Sequence, residues 1–442
     1  MKETPKERGD EMYNITDYGA SADGKTLCTQ NIQSAIDDCY KNGGGRVVVP
    51  AGNYLTGTIW LRSNVEFHLE MGALLIASTD MKDYNAEDAY EQNFGCVGEE
   101  WLGKHLILAV ECENVAVTGL GVIDGRGDFF FETPRSYPWM SGYGWRDGFS
   151  KARDKELLRP GQLMCFIECR HVTVQDITMK NCTCWSCFLH GCEYVSVRGV
   201  KVFNQKTAAN TDGIDIDCCR FVTVSDCIID TGDDAITVRC DSKRLKNKEM
   251  LSEYITVTNC TCSVSASAFR IGVGTGRIRH VRVSNIVIAR AGTAIHYMTS
   301  YAHHGEAHIE DVNFSNISAD NVGFAVQLGG DVGSIRHVTL ENIRMHSLAG
   351  TKIVAKDDCI VEDITLRNVD LRVMNDPREL SENSLEKRGA HMLCVSNIRS
   401  LTLDGVRVLP DDGAKEQWKG SFAADGCGDI TLQNCNFMEN NA

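Results

Sequence analysis

Several things are scarce or missing in this 442-residue chain. No apolar run approaches the ~20 residues needed to span a bilayer, and the opening MKETPKERGDEMYN has no apolar segment of the secretory kind. Positive charge is in deficit, with 45 Lys and Arg against 60 Asp and Glu and a formal net charge of −15. So acidic a chain is repelled by phosphate backbones and anionic lipid, which excludes nucleic acid and membrane surfaces as expected partners. Proline numbers only 7 against 40 glycines, a balance that suits many tight turns. There is no G-x-S-x-G nucleophile elbow. GVGTG from Gly272 follows a strand pattern instead of opening a helix, so it is a turn and not a phosphate loop.

What is abundant is cysteine, 20 residues between Cys28 and Cys435. A disulfide scaffold would be shorter and would carry an export signal, so the expectation is reduced thiols and a cytoplasmic address. Cys184 and Cys187 form a C-W-S-C pair, but no partner set follows at zinc spacing. The thiols read as small buried hydrophobes. With 43% hydrophobic and 24% charged residues the composition is globular. A chain of this length suggests two or three domains, unless it is a repeat growing along one axis.

A repeat is present. Alternating apolar residues, then Asn, Asp or Gly, then another alternating run recur in HVTVQDITMKNC, YVSVRGVKVFN, FVTVSDCIIDTGDD, YITVTNCTC and HVRVSNIVIAR, and on to DITLQNCNFM. The second residue of each unit marks a register: Val172, Val195, Val222, Ile255, Val281, Val312, Val338, Ile364, Leu401 and Ile430. Period-2 strands with polar turns and variable repeat length indicate stacked coils, not helical solenoids or propeller blades. The expected fold is all-β, a single-stranded right-handed parallel β-helix forming one domain over residues 1–442. Residues 12–45 would form an N-terminal cap region, because TQNIQSAIDDCYKNGGG places Ile32, Ala35, Ile36, Cys39 and Tyr40 on one helical face. Residues 128–158 interrupt the repeat with an aromatic-rich loop, in which Trp139, Tyr143 and Trp145 either stack on sugar or cover solenoid surface.

The densest carboxylates lie in NTDGIDID and TGDDAITV. Aligning Ile214 with Ile236 sets Asp212 beside Asp234 on successive rungs, with Asp233 at the adjoining turn. Rungs are ~4.8 Å apart, so three acids crowd one patch and at least one pKa must rise. An acid and a base side by side are what glycosidic cleavage requires. Turn chemistry and a calcium site are the competing readings; catalysis is favoured, and no metal or cofactor is expected. The register also stacks Thr237, Arg270 and His296 near Asp215, and Arg239 over Asp217. Arg239 reads as an ion-pair partner of that column. Asn210, Asp215, Arg270, His296 and His303 join Trp139 and Trp145 as candidate substrate contacts. The run HHGEAH, residues 303–308, lacks the order of a helical metal motif.

NTDG followed by GDD, with 21 residues from Asp212 to Asp233, resembles the polygalacturonase-like enzymes of glycoside hydrolase family 28. The stretch from YNITDYGASADGK to GALL, GVIDGRGD and the Arg159-Pro160 segment are similar to that family too. The resemblance implies an inverting hydrolase on a pectin-lyase-like solenoid. Asp233 would be the general acid, with Asp212 and Asp234 holding and deprotonating water. Two family motifs differ. Ala266-Ser267-Ala268 stands where Gly-His-Gly is expected, and Ala294-Ile295-His296 where Arg-Ile-Lys grips a galacturonate carboxylate. With both cations absent, a galacturonide is not expected, and the cytoplasmic address favours an exo-acting enzyme on a small plant-derived glycoside or oligosaccharide terminus. A pectin oligosaccharide hydrolase, a β-helix lyase or intramolecular glycosyl transferase, and a binding-only solenoid are the alternatives. Homo-oligomerisation is left open.

Overall fold

The computed structural model describes residues 12–132, 152–153, 158–301, 305–356, 358–376, 382, 386 and 388–438. Among the described residues, thirty-four strands form one continuous sheet in which every pairing between strands is parallel. Three strands make a rung. In one, Cys187–His190, Glu193–Arg198 and Lys201–Phe203 pair respectively with Ile214–Asp217, Arg220–Ser225 and Ile228–Thr231 of the next. This is a parallel β-helix, and parallel connections of this kind wind right-handed.

The register marks stack as expected. From Val172 through Val195, Val222, Ile255, Val281, Val312, Val338, Ile364 and Leu401 to Ile430, each lies opposite its successor. Every mark from Val172 to Leu401 is buried in the solenoid core. The Asn, Asp and Gly punctuation also has a backbone cause. Asn259, Asn285, Asn316, Asn342 and Asn368 turn a corner in the left-handed region, with φ between 51° and 56°, which Asn tolerates better than most residues. Their amides join in a thread, each Nδ2 donating to the Oδ1 of the preceding rung at 2.8–3.4 Å.

Two outer faces behave differently. On the face containing Arg220–Ser225, inward residues are buried and outward ones are partly or openly exposed in alternation. Its outermost column alternates in sign: Glu113, Arg170, Glu193, Arg220, Glu253, Arg279, Glu310 and Arg336 lie in one register, and Glu362 and Arg399 continue it. Glu193 pairs with both Arg170 and Arg220 at 2.6 Å. Beside this ladder the rings of His171, Tyr194, Phe221, Tyr254 and His280 stack with centroids 5.0–5.1 Å apart, at the rung spacing.

On the second face, Met164–Ile167, Cys187–His190 and Ile214–Asp217 are buried at every position, outward residues included. A covering layer explains this. Tyr90, Phe94 and Trp101 pack with Trp60, Leu108, Cys165, Trp185 and Phe188 into a second apolar cluster outside the solenoid core. One outward column on this face therefore changes chemistry along its length. Trp60, Leu108, Cys165 and Phe188 are apolar and covered, and Asp215, Thr237, Arg270, His296, Gln327 and Lys352 follow.

The capping helix spans Thr29–Lys41 and buries Ile32, Ala35, Ile36 and Cys39 over the first rungs. Tyr40, expected on the same face, is 48% exposed, because it lies in the last turn as the chain leaves the solenoid end. A Cβ at Gly44 would come within 2.3 Å of the Asn64 carbonyl oxygen, so the closing turn needs glycine. Sixteen cysteines are buried, Cys96, Cys394, Cys427 and Cys435 are partly so, and all 20 are free. Cys184 joins the covering cluster and Cys187 the solenoid core, so the C-W-S-C pair faces two ways.

Candidate active site

Where the outward column turns from apolar to polar there is a pocket of about 310 Å³, at the small end of ligand sites. Its floor carries Asp212, Asp233 and Asp234, whose nearest carboxylate oxygens lie within 4.8 Å of one another. The aligned rungs produce this contact: Ile214 pairs with Ile236, which brings the preceding Asp212 and Asp234 together.

The three acids are held differently. Asp234 is buried, accepts the Ser267 backbone N–H at 2.6 Å and takes a two-pronged grip from the Arg270 guanidinium, through Nε to Oδ2 and Nη2 to Oδ1. Asp233 is half-buried and accepts the Asn210 backbone N–H at 2.9 Å. Asp212 is 5% exposed, and burial, followed by the charges of Asp215, Asp233 and Asp234, pushes its pKa well up. Like charges this close do not all ionise, so the cluster retains a proton at neutral pH. Acids in this geometry have donors suited to a cation as well as to proton transfer.

Asp215 lies beneath the floor and does not line the pocket. Burial is the main cause of its pKa rising to about 7, against the opposing pull of Arg239 and the Thr237 hydroxyl that donates to it. Arg270 lines the pocket and pairs with Asp234, not with Asp215. His296 stacks next to Arg270 in register, 3.4 Å from the Ser267 hydroxyl, and lies outside the pocket lining. Burial and the neighbouring Arg270 hold its pKa down at about 3, so it is a neutral imidazole. Arg239 pairs with Asp217 at 3.6 Å as expected, and its guanidinium also covers Trp185 and faces the pocket. Trp139, Tyr143, Trp145 and His303 lie outside the described residues.

The walls come from segments that the repeat does not organise. Phe94, Cys96, Glu99, Trp101 and Trp185 line one part of the pocket, Arg244 packs on the Phe94 ring at its edge, and Tyr301 lies beside Arg270. Arg159 ties the wall to the floor. It is wholly buried, donates to the carbonyl oxygens of Thr183 and Glu99 (2.9 Å to the latter), and donates to Asn210 Oδ1 at 2.6 Å. Asn210 passes this on, its amide reaching Glu99 at 3.3 Å and its backbone reaching Asp233. Glu99, Trp101, Trp185, Arg244 and Tyr301 were not picked out from the sequence. The one signal for Arg244 was the wide repeat after Val222, because 11 residues separate Cys240 from Ser252 where two separate His190 from Glu193.

A parallel β-helix with an anchored carboxylate triad at the foot of an aromatic-walled pocket defines a carbohydrate-processing class of protein. The chain belongs to glycosyl hydrolases family 28, whose model matches residues 39–373. It is 24% identical over 465 residues to an exo-poly-alpha-D-galacturonosidase of Dickeya chrysanthemi, covering 90% of this chain and 75% of that one. To a probable polygalacturonase of Vitis vinifera it is 23% identical over 333 residues, 73% of this chain and 63% of the relative, so under two thirds of that protein's length is spanned. The solved family 28 exopolygalacturonase of Yersinia enterocolitica shares the fold with a TM-score of 0.68 at 20% identity, covering 96% of this chain and 78% of that one.

Excluding a galacturonide on the missing motif cations does not hold. Positions 294 and 296 are uncharged, but the pocket is lined by Arg239, Arg244 and Arg270, supplied from other positions.

Proposed function

We propose that this chain is an inverting, exo-acting hydrolase that removes the terminal uronic acid from short pectin-type oligosaccharides. The carrying observation is the carboxylate triad at the floor of a small pocket whose N-terminal side is closed by the Phe94–Trp101–Trp185 wall. A wall there leaves room for a chain end, not for a chain passing through. The one proton that the cluster retains is delivered through Asp233, the most open of the three, to the glycosidic oxygen as the anomeric carbon–oxygen bond breaks, which leaves Asp212 ionised. Asp212 and Asp234 orient a water that attacks that carbon and take the proton it loses. The relatives named as exo-acting galacturonosidases support the substrate class.

The spacing of the acids makes stereochemistry the first thing to measure. Inverting pairs commonly stand ~6.5–9.5 Å apart and retaining pairs ~5–5.5 Å, whereas these approach within 4.8 Å. NMR of the first-formed product anomer should show inversion; the retained anomer would overturn it. Digestion of reduced oligogalacturonates should release monosaccharide alone from the start, and a ladder of sizes would overturn exo-action. An unsaturated, ultraviolet-absorbing product would replace hydrolysis with elimination. Activity should survive a chelator, and its loss would favour a cation between the acids. A cytoplasmic setting with imported oligosaccharides is part of the proposal, supported by 20 free thiols; recovery of the enzyme in an extracellular fraction would refute it.

A further inference from the structure

The segment between Cys240 and Ser252 leaves the rung that carries Asp233 and Asp234 and returns over the pocket. Two anchors fix it. The Asp241 backbone N–H donates to Asp217 at 2.7 Å while its carbonyl lies 3.0 Å from His190 Nε2. Four residues on, Leu245 is fully buried against Cys218 and Met250. Between these anchors Arg244 stands at the pocket rim. Its guanidinium centre is 4.7 Å from the Phe94 ring centroid, and it donates a long 3.5 Å hydrogen bond to the Asn93 carbonyl.

The other two pocket arginines are committed. Arg270 grips Asp234, and Arg239 faces Asp217 with Asp215 nearby. Among the described residues no carboxylate pairs with Arg244. An anionic sugar entering a pocket floored by three acids, with Glu99 on its wall, meets repulsion that only an uncommitted cation offsets. A guanidinium held over an aromatic ring keeps N–H donors for a ligand, and its fork matches a carboxylate with two parallel hydrogen bonds.

We infer that Arg244 is the specificity-determining residue of this site, its guanidinium holding the carboxylate of the terminal uronic acid from the rim opposite the lost cation positions. The inference rests on the hydrolase reading for its setting but is separable from it. The test is paired. Binding of galacturonate and of galactose is measured by calorimetry for the wild type and for Arg244→Gln and Arg244→Lys, and kcat/KM is measured in parallel on digalacturonate and on its methyl ester. Arg244→Gln should weaken galacturonate binding by about 10- to 100-fold and reduce the preference for the free acid over the ester by a similar factor, mostly through KM. Arg244→Lys should recover part of it. Galacturonate bound equally by Arg244→Gln and wild type overturns the assignment, whatever turnover shows. A wild type that binds galacturonate through Arg244 but cleaves neither substrate overturns the hydrolase reading and upholds Arg244. A wild type that does not distinguish galacturonate from galactose overturns the inference outright.

Discussion

On one outer face Arg220 sits between Glu193 and Glu253; on the other, Asp212 sits next to Asp234 with Asp233 alongside. Both arrangements come from the same device, the repetition of one position at the rung spacing. In the first, alternating sign makes each neighbour a partner. The arginines reach solvent while Glu193 and Glu253 between them are largely covered, and each pair gains from the network. In the second, repetition of one sign makes each neighbour a cost, reduced by the Arg270 grip and by the retained proton. The difference shows that the scaffold is indifferent to what it stacks. Where it stacks against electrostatic preference, the cost marks chemistry.

The sharpest way to break the comparison is to neutralise each column in turn. Asp233→Asn and Asp212→Asn should each lower kcat by about 10³- to 10⁴-fold while leaving Tm unchanged or higher, since a repulsion is removed. An aryl glycoside with a good leaving group should restore turnover to the variant lacking the acid and not to the one lacking the base. If Asp212→Asn is the variant rescued, the roles of the two are exchanged. Arg159→Met should cost both properties at once, about 3 kcal/mol of stability together with a large fall in kcat/KM, because the side chain links Thr183, Glu99 and Asn210. A thermal melt and a turnover assay on one preparation check it.

Arg270→Gln withdraws the cation from Asp234. Its charge also opposes the rise in the Asp212 pKa, so without it both limbs of the kcat/KM pH profile should move to higher pH; a profile that stays put would show that Arg270 is only a support. Asp215 tests the same logic through stability. Its folded pKa of about 7 is above its ordinary carboxylate value, so the fold binds a proton that the unfolded chain has already released. Stability contributed by that proton is present at low pH and is lost as pH rises toward 7. Asp215→Asn should therefore gain Tm over the wild type between pH 5 and pH 8, and a constant difference would contradict the raised pKa. The smallest effect belongs to the ladder. Glu193→Gln should lower Tm by ~1–3 °C, less at high salt, with kcat unchanged.

The two columns also differ in how far they were legible in the amino-acid order. Period-2 alternation and the Asn, Asp and Gly corners predicted every rung from Val172 to Ile430, because each rung repeats the same physical requirement. Asp212 over Asp234 followed from that register. The pocket walls did not, since they are built from excursions that obey no period. Glu99 is held at the site by Arg159, some 60 residues later, on its carbonyl and by Asn210 on its side chain. Arg239 looked like a surface ion-pair partner because the register shows what lies under a side chain, not which loop covers it. Positions 294 and 296 carry no charge, but a cation delivered from the 241–251 excursion has no motif to announce it.

The alternating ladder has a further consequence for how such a molecule can change in length. A solenoid grows or shrinks by whole rungs, and duplication of a coil is the simplest way to insert one. Adding or removing a single rung in the middle of the Glu–Arg column brings two like charges face to face, while adding or removing a pair preserves every match. The column thus behaves as a parity check: odd insertions are penalised at the junction, and even ones pass.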